Sequence, residues 1–377
     1  MSLGIGGAET HVVSLAKHLS ARGWDVHVAS GGGELVRQLV DARIEHVYAP
    51  LQSRSPLHMF RAYRVIAALI RERRIGLVHA HARIPAWIAG MACEKRGIPM
   101  VMTYHGTFVS GAFWNLFTRS GDRTIAVSED IRDYVVQEFA FSKDSITVIP
   151  NGIDLDIFRE PDESDREDGR LALSVPPGES PVVLYASRLD GDLAGVASAM
   201  IDASLLLSDK FPSMTLLIAG DGDGLMALRE HAARANRSAG RELVRCTGYL
   251  TGTFPAYAAS DLVVGMSRVA LEAMACSRPV IVAGPGGVFG PVSPGTEEEL
   301  EDRNYTSRNA PHPLSAGKLA DEIDSLLSDP AARESLGRFG RKTVAERHSM
   351  DQVTDRTEGV YTAVLAALRG KTKGTPV

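Results

Sequence analysis

The sequence predicts an α/β protein made of two doubly wound domains. Short apolar runs rich in β-branched residues alternate with segments of helical periodicity along most of the 377 residues. This alternation is typical of parallel sheets covered by helices. It begins again after a charged stretch near the middle of the chain, and the length allows two domains with separate cores.

The first αβ series opens with a helix and continues with five predicted strands. Apolar residues recur at helical spacing over 10–20, and Gly23 ends that helix. The strands are predicted at 25–29, 77–80, 100–104, 123–127 and 146–149. The glycine-rich segment 4–9 follows only Met1-Ser-Leu3, so the first strand is missing from the sequence. We expect a truncated start rather than a half-sheet that lacks a central strand.

The second αβ series follows a predicted interdomain connection. Pro150-Asn-Gly-Ile-Asp154 is a turn sequence, and the charged stretch 159–178 after it is interpreted as the connection. Strands are then predicted at 181–186, 214–219, 244–247, 262–264 and 280–283. These patterns predict a first domain at 1–160 and a second at 161–349, with mostly helical sequence thereafter.

Composition and charge narrow the function classes. The formal net charge of -5 argues against a general nucleic-acid binder, which needs broad phosphate neutralisation. The three cysteines, Cys93, Cys246 and Cys276, lack metal-site spacing and fit a reducing compartment. No apolar run is long enough to span a bilayer, and no signal peptide opens the chain. We therefore predict a cytoplasmic enzyme.

A predicted strand, loop and helix place one carboxylate, Glu272, near the carboxyl end of a strand. The apolar run 262–264 is followed by Gly265 and by the helix formers of 271–275, and Pro279 ends that helix. Ligands of open parallel sheets lie beyond the carboxyl ends of the strands. Glu272 can there accept hydrogen bonds from two vicinal ribose hydroxyls. The alternative is that it complements the helix dipole.

Three segments resemble the family 4 retaining glycosyltransferases. They are Leu-Glu-Ala-Met-Ala at 271–275, Gly-Gly-Ala-Glu-Thr-His at 6–11 and Thr-Tyr-His-Gly at 103–106. The resemblance spans nearly the whole chain. It implies the GT-B fold, in which two Rossmann-like domains face each other across a cleft and a C-terminal helix, here 350–369, packs back on the first domain. It also implies transfer of a sugar from a UDP- or GDP-sugar to a hydroxyl acceptor.

The resemblance assigns most of the donor site to backbone groups. It implies that the loop with Gly6 and Gly7 contacts the donor phosphates, although a glycine pair before a helix is equally typical of a tight turn. It implies base recognition around Gly248 and Tyr249, and it includes the strand-ending turn at Gly222. Glu272 would bind the ribose.

The resemblance also names the residues expected to carry the chemistry. His105 matches the histidine that lies over the donor sugar, and the alternative is a histidine bonded to a loop carbonyl. Arg188 follows a strand where the family has Gly-Arg-Leu, and a fixed cation there stabilises a departing diphosphate. The family's next lysine is replaced by Leu193. We predict that Arg268 restores this charge, so that Arg268→Ala abolishes turnover.

The sequence departs from the family motif at several positions, and these departures are compatible with a second class of function. The donor motif is Glu-x7-Glu, and Val264 stands where its first glutamate is expected. Serine also replaces a glycine at Ser267 or Ser277. These losses are compatible with a weakly active, nucleotide-binding subunit, and a nucleotide-sugar epimerase is a third alternative.

No metal or other cofactor is expected. The Asp-Gly-Asp triplets at 190–192 and 221–223 mimic a metal motif, but the first occupies the Arg188 loop and the second a strand-ending turn. His79, His81 and His105 lie near strand ends without acidic or cysteine partners at matching spacing.

Two segments are candidates for acceptor contacts. The stretch 54–74 mixes apolar residues with arginines, so it either lies on the anionic inner face of a membrane bearing a lipid-linked acceptor or packs on the sheet with its arginines in water. Four aromatic residues line the acceptor side or belong to the core: Phe108, Phe113, Trp114 and Phe117. The acceptor is expected to be a glycan or lipid-linked intermediate of cell-surface glycan or glycolipid synthesis.

Overall fold

The structure is a computed structural model that describes residues 1–4, 6–53, 55–108, 111–176 and 181–373. Three predicted features lie outside the described residues: Arg54 of the arginine-rich stretch, the side chain of Phe113, and the end of the predicted connection at 177–178. The chain divides into two compact units, of which unit 1 is Met1–Gly152 with Ser349–Val377 and unit 2 is Ile153–His348. The chain thus changes unit between residues 152 and 153, earlier than the predicted boundary at 160.

Unit 1 alternates helices with short parallel strands. Its helices are α1 (Gly7–Ala21), α2 (Val36–Asp41), α3 (Pro56–Glu72), α4 (Arg83–Glu94), α5 (Ala112–Asn115) and α6 (Glu129–Phe139). Its strands are β1 (His27–Ser30), β2 (Glu45–Tyr48), β3 (Val78–Ala80), β4 (Met100–Tyr104), β5 (Arg123–Ala126) and β6 (Ile146–Val148). A 3₁₀ turn, Lys143–Ser145, precedes β6.

The strands of unit 1 form two separate sheets. One contains β1 and β2, and the other has the order β3-β4-β5-β6, with every pair parallel. Within the described residues no strand precedes α1, and β1 and β3 each pair along one edge only. The N-terminal residues continue along the end of β1, since Leu3 N donates to Gly32 O at 2.6 Å and Gly31 N donates to Met1 O at 2.9 Å.

Unit 2 has one larger sheet. Its helices are α7 (Glu163–Ala172), α8 (Gly191–Leu206), α9 (Leu225–Ala239), α10 (Phe254–Ala259), α11 (Arg268–Ala275), α12 (Glu297–Asp302), α13 (Ala316–Leu327) and α14 (Pro330–Thr343). Its strands are β7 (Val182–Ala186), β8 (Thr215–Ala219), β9 (Val244–Gly248), β10 (Leu262–Gly265), β11 (Val280–Gly284) and β12 (Gly287–Pro291). The strand order is β12-β11-β10-β7-β8-β9, and only β12 is antiparallel to its neighbour.

The buried strands of unit 2 carry apolar residues on both faces, as expected for a sheet covered by helices on each side. One core lies against α8, α9 and α13 and includes Met200 and Ile218. The other lies against α10 and α11 and includes Tyr257 and Met274. This two-sided burial explains why the apolar runs of this half predict its strands well.

The prediction of an interdomain connection at 159–178 is wrong. This stretch contains α7, which belongs to unit 2. Its charged residues begin the helix, because the Asp162 side chain accepts from Asp165 N while Asp165 accepts from Asp162 N, each at 2.9 Å. Arg166 also pairs with Asp261 at 2.6 Å. Acidic residues in a capping box and in a flexible connection have similar composition, so composition alone was misleading.

The C-terminal helix α15 (Met350–Lys373) belongs to unit 1 and follows a π-helical turn, Val344–His348, that ends unit 2. Its apolar side packs in a cluster with α1 and β4 that includes Leu15, Val101 and Val353. Arg22, after α1, is hydrogen-bonded to three carboxylates of α15: Asp351, Asp355 and Glu358.

Candidate active site

The strand order of unit 2 reverses between β7 and β10. From β7 the chain proceeds to β8 and β9 on one side, and then returns to β10 and β11 on the other. The carboxyl ends of strands at such a switch point form the usual ligand crevice of an open parallel sheet. Arg188 follows β7, whereas α11, which carries Arg268 and Glu272, follows β10. The predicted donor residues of unit 2 therefore flank this point.

Arg188 is an available cation. Its side chain is exposed, and it makes no hydrogen bond or ion pair with any residue in the described ranges. Two residues further on, Asp190 begins α8 and uses Oδ1 to accept from Asp223 N at 2.8 Å. Leu193, at the expected lysine position, is partly buried and accepts from Tyr185 Oη through its carbonyl at 3.2 Å. Leu193 thus contributes no positive charge.

The glycine turn after β8 lies tightly against the Arg188 loop. A Cβ on Gly220 would lie 1.8 Å from Ser187 O, and one on Gly222 would lie 2.3 Å from Asp190 Oδ1. Both glycines have positive φ, at 144° and 152°. Glycine is therefore required at these two positions by packing and backbone conformation. Gly222 N is hydrogen-bonded to Asp221 Oδ1 at 2.9 Å.

Glu272 is a buried carboxylate held by three side chains, and only 7% of its surface is exposed. Oε1 accepts from Arg268 Nε at 2.7 Å. Oε2 accepts from Tyr257 Oη at 2.9 Å and from Thr253 Oγ1 at 3.3 Å. Burial, and then the nearby Glu272 charge, raise the pKa of Tyr257 well above its usual value, so this phenol stays a donor. Two carboxylate oxygens offer about four acceptor positions, which leaves capacity for a further donor.

The position of Glu272 in α11 argues against the alternative that its charge only stabilises the helix dipole. The helix begins at Arg268, so Glu272 lies beyond its first turn, where the dipole effect has fallen off. The side-chain partners account for its burial instead. Sequence reasoning identified Arg268 and Glu272 but missed Tyr257 and Thr253, which come from the preceding helix.

Val264 is a core residue and not a loop residue. It is fully buried in β10, where it is paired with Tyr185 on one side and Ile281 on the other. Only Met266 and Ser267 separate β10 from α11. The spacing of the family motif therefore places its first glutamate inside a strand. Val264 thus lies in a strand, as the apolar run 262–264 predicts, and the loop that follows this strand is only two residues long.

The two serines at expected glycine positions have left-handed backbone conformations. Ser267, before α11, has φ 53° and ψ −125°, and Ser277, after α11, has φ 55°. Non-glycine residues at such angles carry a conformational cost. Ser267 is compensated in part, since its Oγ accepts from Asn304 Nδ2 at 3.2 Å and its N–H donates to Tyr305 O at 2.7 Å.

Arg229 lies near the end of β9, and the sequence analysis did not identify it as a candidate site residue. Gly248 has φ 74°, and a Cβ there would lie 3.5 Å from Nη2 of Arg229 in α9. Tyr249 is 47% exposed. Neither Arg229 nor Tyr249 makes a hydrogen bond or ion pair within the part of the chain that the structure describes. Its position in the sequence could have indicated it: Arg229 lies one turn into α9, the helix that follows the glycine turn after β8.

In unit 1, four histidine rings form a cluster near the ends of β3 and β4, hereafter the histidine cluster: His11, His79, His81 and His105. His81 Nδ1 is 3.1 Å from His105 Nε2. The ring centroids of His79 and His81 are 4.0 Å apart, and those of His11 and His105 are 5.3 Å apart. Sequence reasoning noted three of these residues and missed His11.

Burial keeps three rings of the histidine cluster neutral: those of His79, His81 and His105. It lowers the pKa of His79 to about 3 and that of His105 to about 4, and it lowers the pKa of His81 well below the usual value. The neighbouring imidazoles add to the lowering of the pKa at His79 and His81, whereas the nearby Asn151 side chain partly opposes it at His105. His105 therefore acts near neutral pH as an uncharged donor or acceptor.

Gly6 and Gly7 begin α1 in the same unit. Gly6 precedes the helix in an extended conformation that any residue adopts, and a Cβ there would meet only the end of the flexible Glu9 side chain, at 2.3 Å. Its carbonyl accepts from Thr10 Oγ1 at 2.9 Å. His11 lies one turn into the helix, and its Nδ1 accepts from Gly152 N at 3.5 Å.

The Asp-Gly-Asp triplets serve as turn caps. Asp190 and Asp221 each accept a backbone N–H in the two adjoining loops. Among the described residues, no group of three or more histidine, cysteine, aspartate or glutamate side chains has the geometry to hold a metal ion.

The two candidate acceptor segments contain both buried and exposed residues. In α3, Ala62, Ile66 and Ile70 are buried, whereas Leu57 and Phe60 are 57% and 58% exposed. Two aromatic residues are part of local packing. The ring centroid of Phe108 lies 4.6 Å from the Arg83 guanidinium carbon, and the tilted rings of Phe117 and Trp87 have centroids 5.2 Å apart. The described helices include none with the length and apolarity needed to cross a bilayer.

The fold and the known relatives define the class of protein as a GT-B glycosyltransferase. The glycosyltransferase family 4 profile matches residues 5–157, and the glycosyl transferases group 1 profile matches residues 180–329. The chain therefore belongs to the family 4, group 1 glycosyltransferases, as the resemblance in its motifs indicated, and it is an enzyme of that class.

Individual relatives span most of the chain at low identity. A D-inositol 3-phosphate glycosyltransferase of Rhodococcus opacus is 26% identical over 77% of this chain and 69% of its own length. A glycogen synthase of Mycobacterium tuberculosis is 28% identical over 99% of this chain and 94% of its own. Anabaena Alr3699/HepE, solved with UDP and glucose, has a TM-score of 0.73 and 20% identity, covering 95% of this chain and 96% of its own.

Proposed function

We propose that this enzyme transfers a sugar, with retention of configuration, from a UDP- or GDP-sugar to a hydroxyl acceptor. The observation that carries the proposal is the pair of charged groups at the switch point of unit 2. Arg188, which has no hydrogen-bond or ion-pair partner among the described residues, follows one strand. Glu272, a carboxylate with spare acceptor capacity, follows the neighbouring strand. A nucleoside diphosphate offers both complementary groups, an anionic diphosphate and a ribose diol.

The proposed reaction needs no protein nucleophile. The bond between the anomeric carbon and the diphosphate oxygen breaks, and negative charge grows on the diphosphate while the sugar becomes oxocarbenium-like. The acceptor oxygen attacks the same face and passes its proton to the departing phosphate oxygen. Arg188 and Arg268 stabilise the growing charge, and His105 positions the donor sugar. Glu272 holds the ribose.

Backbone groups complete the proposed donor site. Gly6 and Gly7, at the start of α1, offer backbone amides to the diphosphate. In unit 2, Gly222 keeps its turn free of a side chain, and Gly248 and Tyr249 meet the nucleobase. The UDP and glucose held by the Anabaena relative support a donor of this kind.

The first test is release of free nucleotide from a panel of UDP- and GDP-sugars. Arg188→Ala is expected to lower kcat by roughly 10²–10³-fold, the usual loss when one charge-stabilising group is removed. Arg234→Ala, an exposed arginine further along α9, is the matched control and should retain full turnover. Unchanged turnover in Arg188→Ala would contradict the assignment.

A second candidate function is favoured by the two-residue loop between β10 and α11. This loop leaves no position for the glutamate that contacts the donor sugar in the resembled motif, which suits a weakly active subunit that binds nucleotide. Nucleoside diphosphate binding without release of nucleotide from any donor would favour this alternative over the transferase.

We propose that neither a metal nor an organic cofactor takes part, because arginines supply the positive charge that a divalent cation otherwise provides. Turnover measured in excess EDTA should equal turnover in magnesium. A strict requirement for added metal would contradict this proposal.

We propose that α3 lies on the inner face of the cytoplasmic membrane, where a lipid-linked acceptor for glycan or glycolipid synthesis is accessible. Leu57 and Phe60 are exposed on a helix that also carries Arg61, Arg64 and Arg71. The double variant Leu57→Ser/Phe60→Ser should lose co-flotation with vesicles containing anionic phospholipid. Val40→Ser, which removes an apolar residue that is 61% exposed on α2, should float as the wild type does.

A further inference from the structure

We propose that unit 2 has a second anion site, a cavity that binds the phosphate group of a small molecule at the sheet edge opposite the donor residues. The cavity, hereafter the arginine cavity, has a volume of about 490 Å³ and is lined by Arg278, Arg333 and Arg338 among others. None of these residues belongs to the proposed donor site, so the inference does not depend on the proposed function.

The arginine cavity lies between α14 and the amino ends of two strands. Asp261 and Pro279 line it and come directly before β10 and β11, which are parallel. The donor residues of α11 instead follow the carboxyl end of β10. Gly337 allows α14 to pack closely here, since a Cβ on Gly337 would lie 2.2 Å from Ser277 O. Closely packed backbone therefore forms one wall of the cavity.

Arg278 is a cation of this wall without a counter-ion. Its one hydrogen bond within the described ranges runs from Nη2 to Ala258 O at 3.1 Å, and its Nε is buried without a partner there. No described carboxylate forms an ion pair with it. An arginine has five N–H donors and stays charged in proteins. Because a charge withdrawn from water requires pairing, Arg278 is suited to an anionic acceptor.

Arg333 is a second cation of the same cavity. Its Nη1 donates to the carbonyls of Leu326 and Leu327, each at 2.7 Å, and it forms no ion pair in the part of the chain that is described. These two carbonyls end α13. They hold the guanidinium in place without neutralising its full charge.

The carboxylates that line the arginine cavity do not cancel this positive charge. Asp261 is paired with Arg166 at 2.6 Å, and Glu334 is paired with Arg338. Glu160 is the remaining acidic residue of the lining, and it is exposed, so water and salt screen its charge. The lining thus keeps two arginines whose charge a bound anion can balance.

A phosphate monoester matches these arginines in charge and in acceptors. It carries a charge of about −1.5 to −2 near neutral pH and has three acceptor oxygens. Arginine binds such oxygens through parallel N–H groups. A carboxylate has a single charge and only two oxygens. The cavity volume lies within the range of about 300–1,000 Å³ typical of small-molecule sites, so a hydroxylated body attached to the phosphate also fits.

Calorimetric titrations of the whole chain at constant ionic strength test the site. Inorganic phosphate and glycerol 3-phosphate should both bind more tightly than acetate. Tighter binding of glycerol 3-phosphate would identify an ester as the ligand, and equal binding would identify free phosphate. Arg278→Met and Arg333→Met should each weaken binding about tenfold, because each removes hydrogen bonds to a charged group. Arg234→Met, at an exposed arginine of α9, is the control.

Arg188→Ala separates the arginine cavity from the proposed donor site. This variant should keep the phosphate binding that Arg278→Met loses, and the reverse result would overturn the proposal. Unchanged phosphate binding in a folded Arg278→Met protein would also overturn it, because Arg278 would then only hold the end of α10. If the wild type turns over no donor, the proposed function fails, while these titrations still decide the arginine cavity.

Hydrogen exchange of the wild-type protein gives a measurement that does not depend on the folding of any variant. Glycerol 3-phosphate should increase the protection of amides at 276–279 and in α14. Protection that increases only around 187–193, the Arg188 loop, would contradict the proposal. The proposal would also be overturned if neither phosphate compound bound, or if acetate bound as tightly as phosphate.

Discussion

At the scale of single residues, the Glu272 carboxylate is held in place by neighbouring side chains of unit 2. Arg268, Tyr257 and Thr253 together satisfy three acceptor positions of Glu272, so its orientation is fixed by α10 and α11. A buried carboxylate is stable only when it is paired and hydrogen-bonded in this way. Arg268 is therefore a partner of Glu272 in the structure, whereas its role as a cation for the leaving group is a proposal.

Kinetics of Arg268→Ala distinguish these two roles. If Arg268 stabilises the departing diphosphate, kcat falls by roughly 10²-fold or more, because that charge exists only in the transition state. The measurement is kcat and donor KM by nucleotide release, with Arg234→Ala as the control. A raised donor KM with kcat unchanged would mean that Arg268 only orients Glu272.

Ser277→Gly tests the backbone cost at one of the two positions, Ser267 or Ser277, where the resemblance leads us to expect glycine. Ser277 has φ 55°, and its buried Oγ has no hydrogen-bond partner among the residues that the structure describes. Glycine relieves both penalties at some cost in unfolded-state entropy, so we expect the free energy of unfolding to rise by about 1 kcal/mol. Denaturant unfolding measures it. Ser328→Gly, at φ −75°, should instead be neutral or destabilising, and a destabilised Ser277→Gly would refute the account.

At the scale of secondary structure, sequence periodicity predicts the buried strands and fails where other forces decide. β4 is apolar and fully buried, and its predicted and observed limits coincide. β2 mixes charged and apolar residues, and β12 has the composition of a loop, Gly-Val-Phe-Gly-Pro; both were missed. Each is a strand because a neighbouring strand pairs with it, which local sequence does not encode.

The candidate site, like the fold, could be predicted where local sequence determines it and not where contacts between elements do. Motif residues such as Arg188 and Glu272 stand out in sequence because their positions relative to strand ends are local. Tyr257 as a partner of Glu272, and His81 as a partner of His105, depend on contacts between different elements. The length of the loop before α11 could be read only from the observed ends of β10 and α11, because the apolar run at 262–264 does not show where the helix begins.

The docking of α15 on unit 1 gives a prediction at this scale. Tyr361 Oη is 2.6 Å from His79 Nδ1, and the Tyr361 ring lies 5.5 Å from that of Trp24. Tyr361→Phe keeps the packing but leaves a polar atom of His79 without this partner, so we expect a loss of about 1–2 kcal/mol in the free energy of unfolding. Tyr48→Phe, at a tyrosine that is 60% exposed, should change little. Equal effects of the two variants, measured by denaturant unfolding, would contradict the role of this bond.

At the scale of the whole molecule, the two units differ in their expected response to acid. The histidine cluster lies in unit 1, and burial lowers the pKa of His79 to about 3 and of His105 to about 4, with His81 lowered in the same direction. An unfolded histidine titrates near 6.5. Between pH 6.5 and about 4 the unfolded chain therefore binds more protons, and the stability of unit 1 falls as pH falls.

Hydrogen exchange of the folded protein at pH 7 and pH 5 measures this difference. After correction for intrinsic exchange rates, amides of β3 and β4 should lose protection at pH 5, by about 1–2 kcal/mol for each neutral histidine. Amides of β7 and β8 in unit 2 serve as the internal reference. Equal loss of protection in both units, or greater protection of unit 1 at pH 5, would contradict the burial of neutral histidines.

The most direct test of the central claim, that Glu272 at the switch point of unit 2 binds the ribose of a nucleotide, is a calorimetric cycle. UDP and 2′-deoxy-UDP, or the guanine pair if GDP binds better, are titrated into wild-type protein and Glu272→Gln. Wild-type protein should bind the ribonucleotide about tenfold more tightly than the deoxynucleotide, equivalent to about 1.4 kcal/mol, and Glu272→Gln should abolish that preference. An unchanged preference in a folded Glu272→Gln protein would contradict the claim.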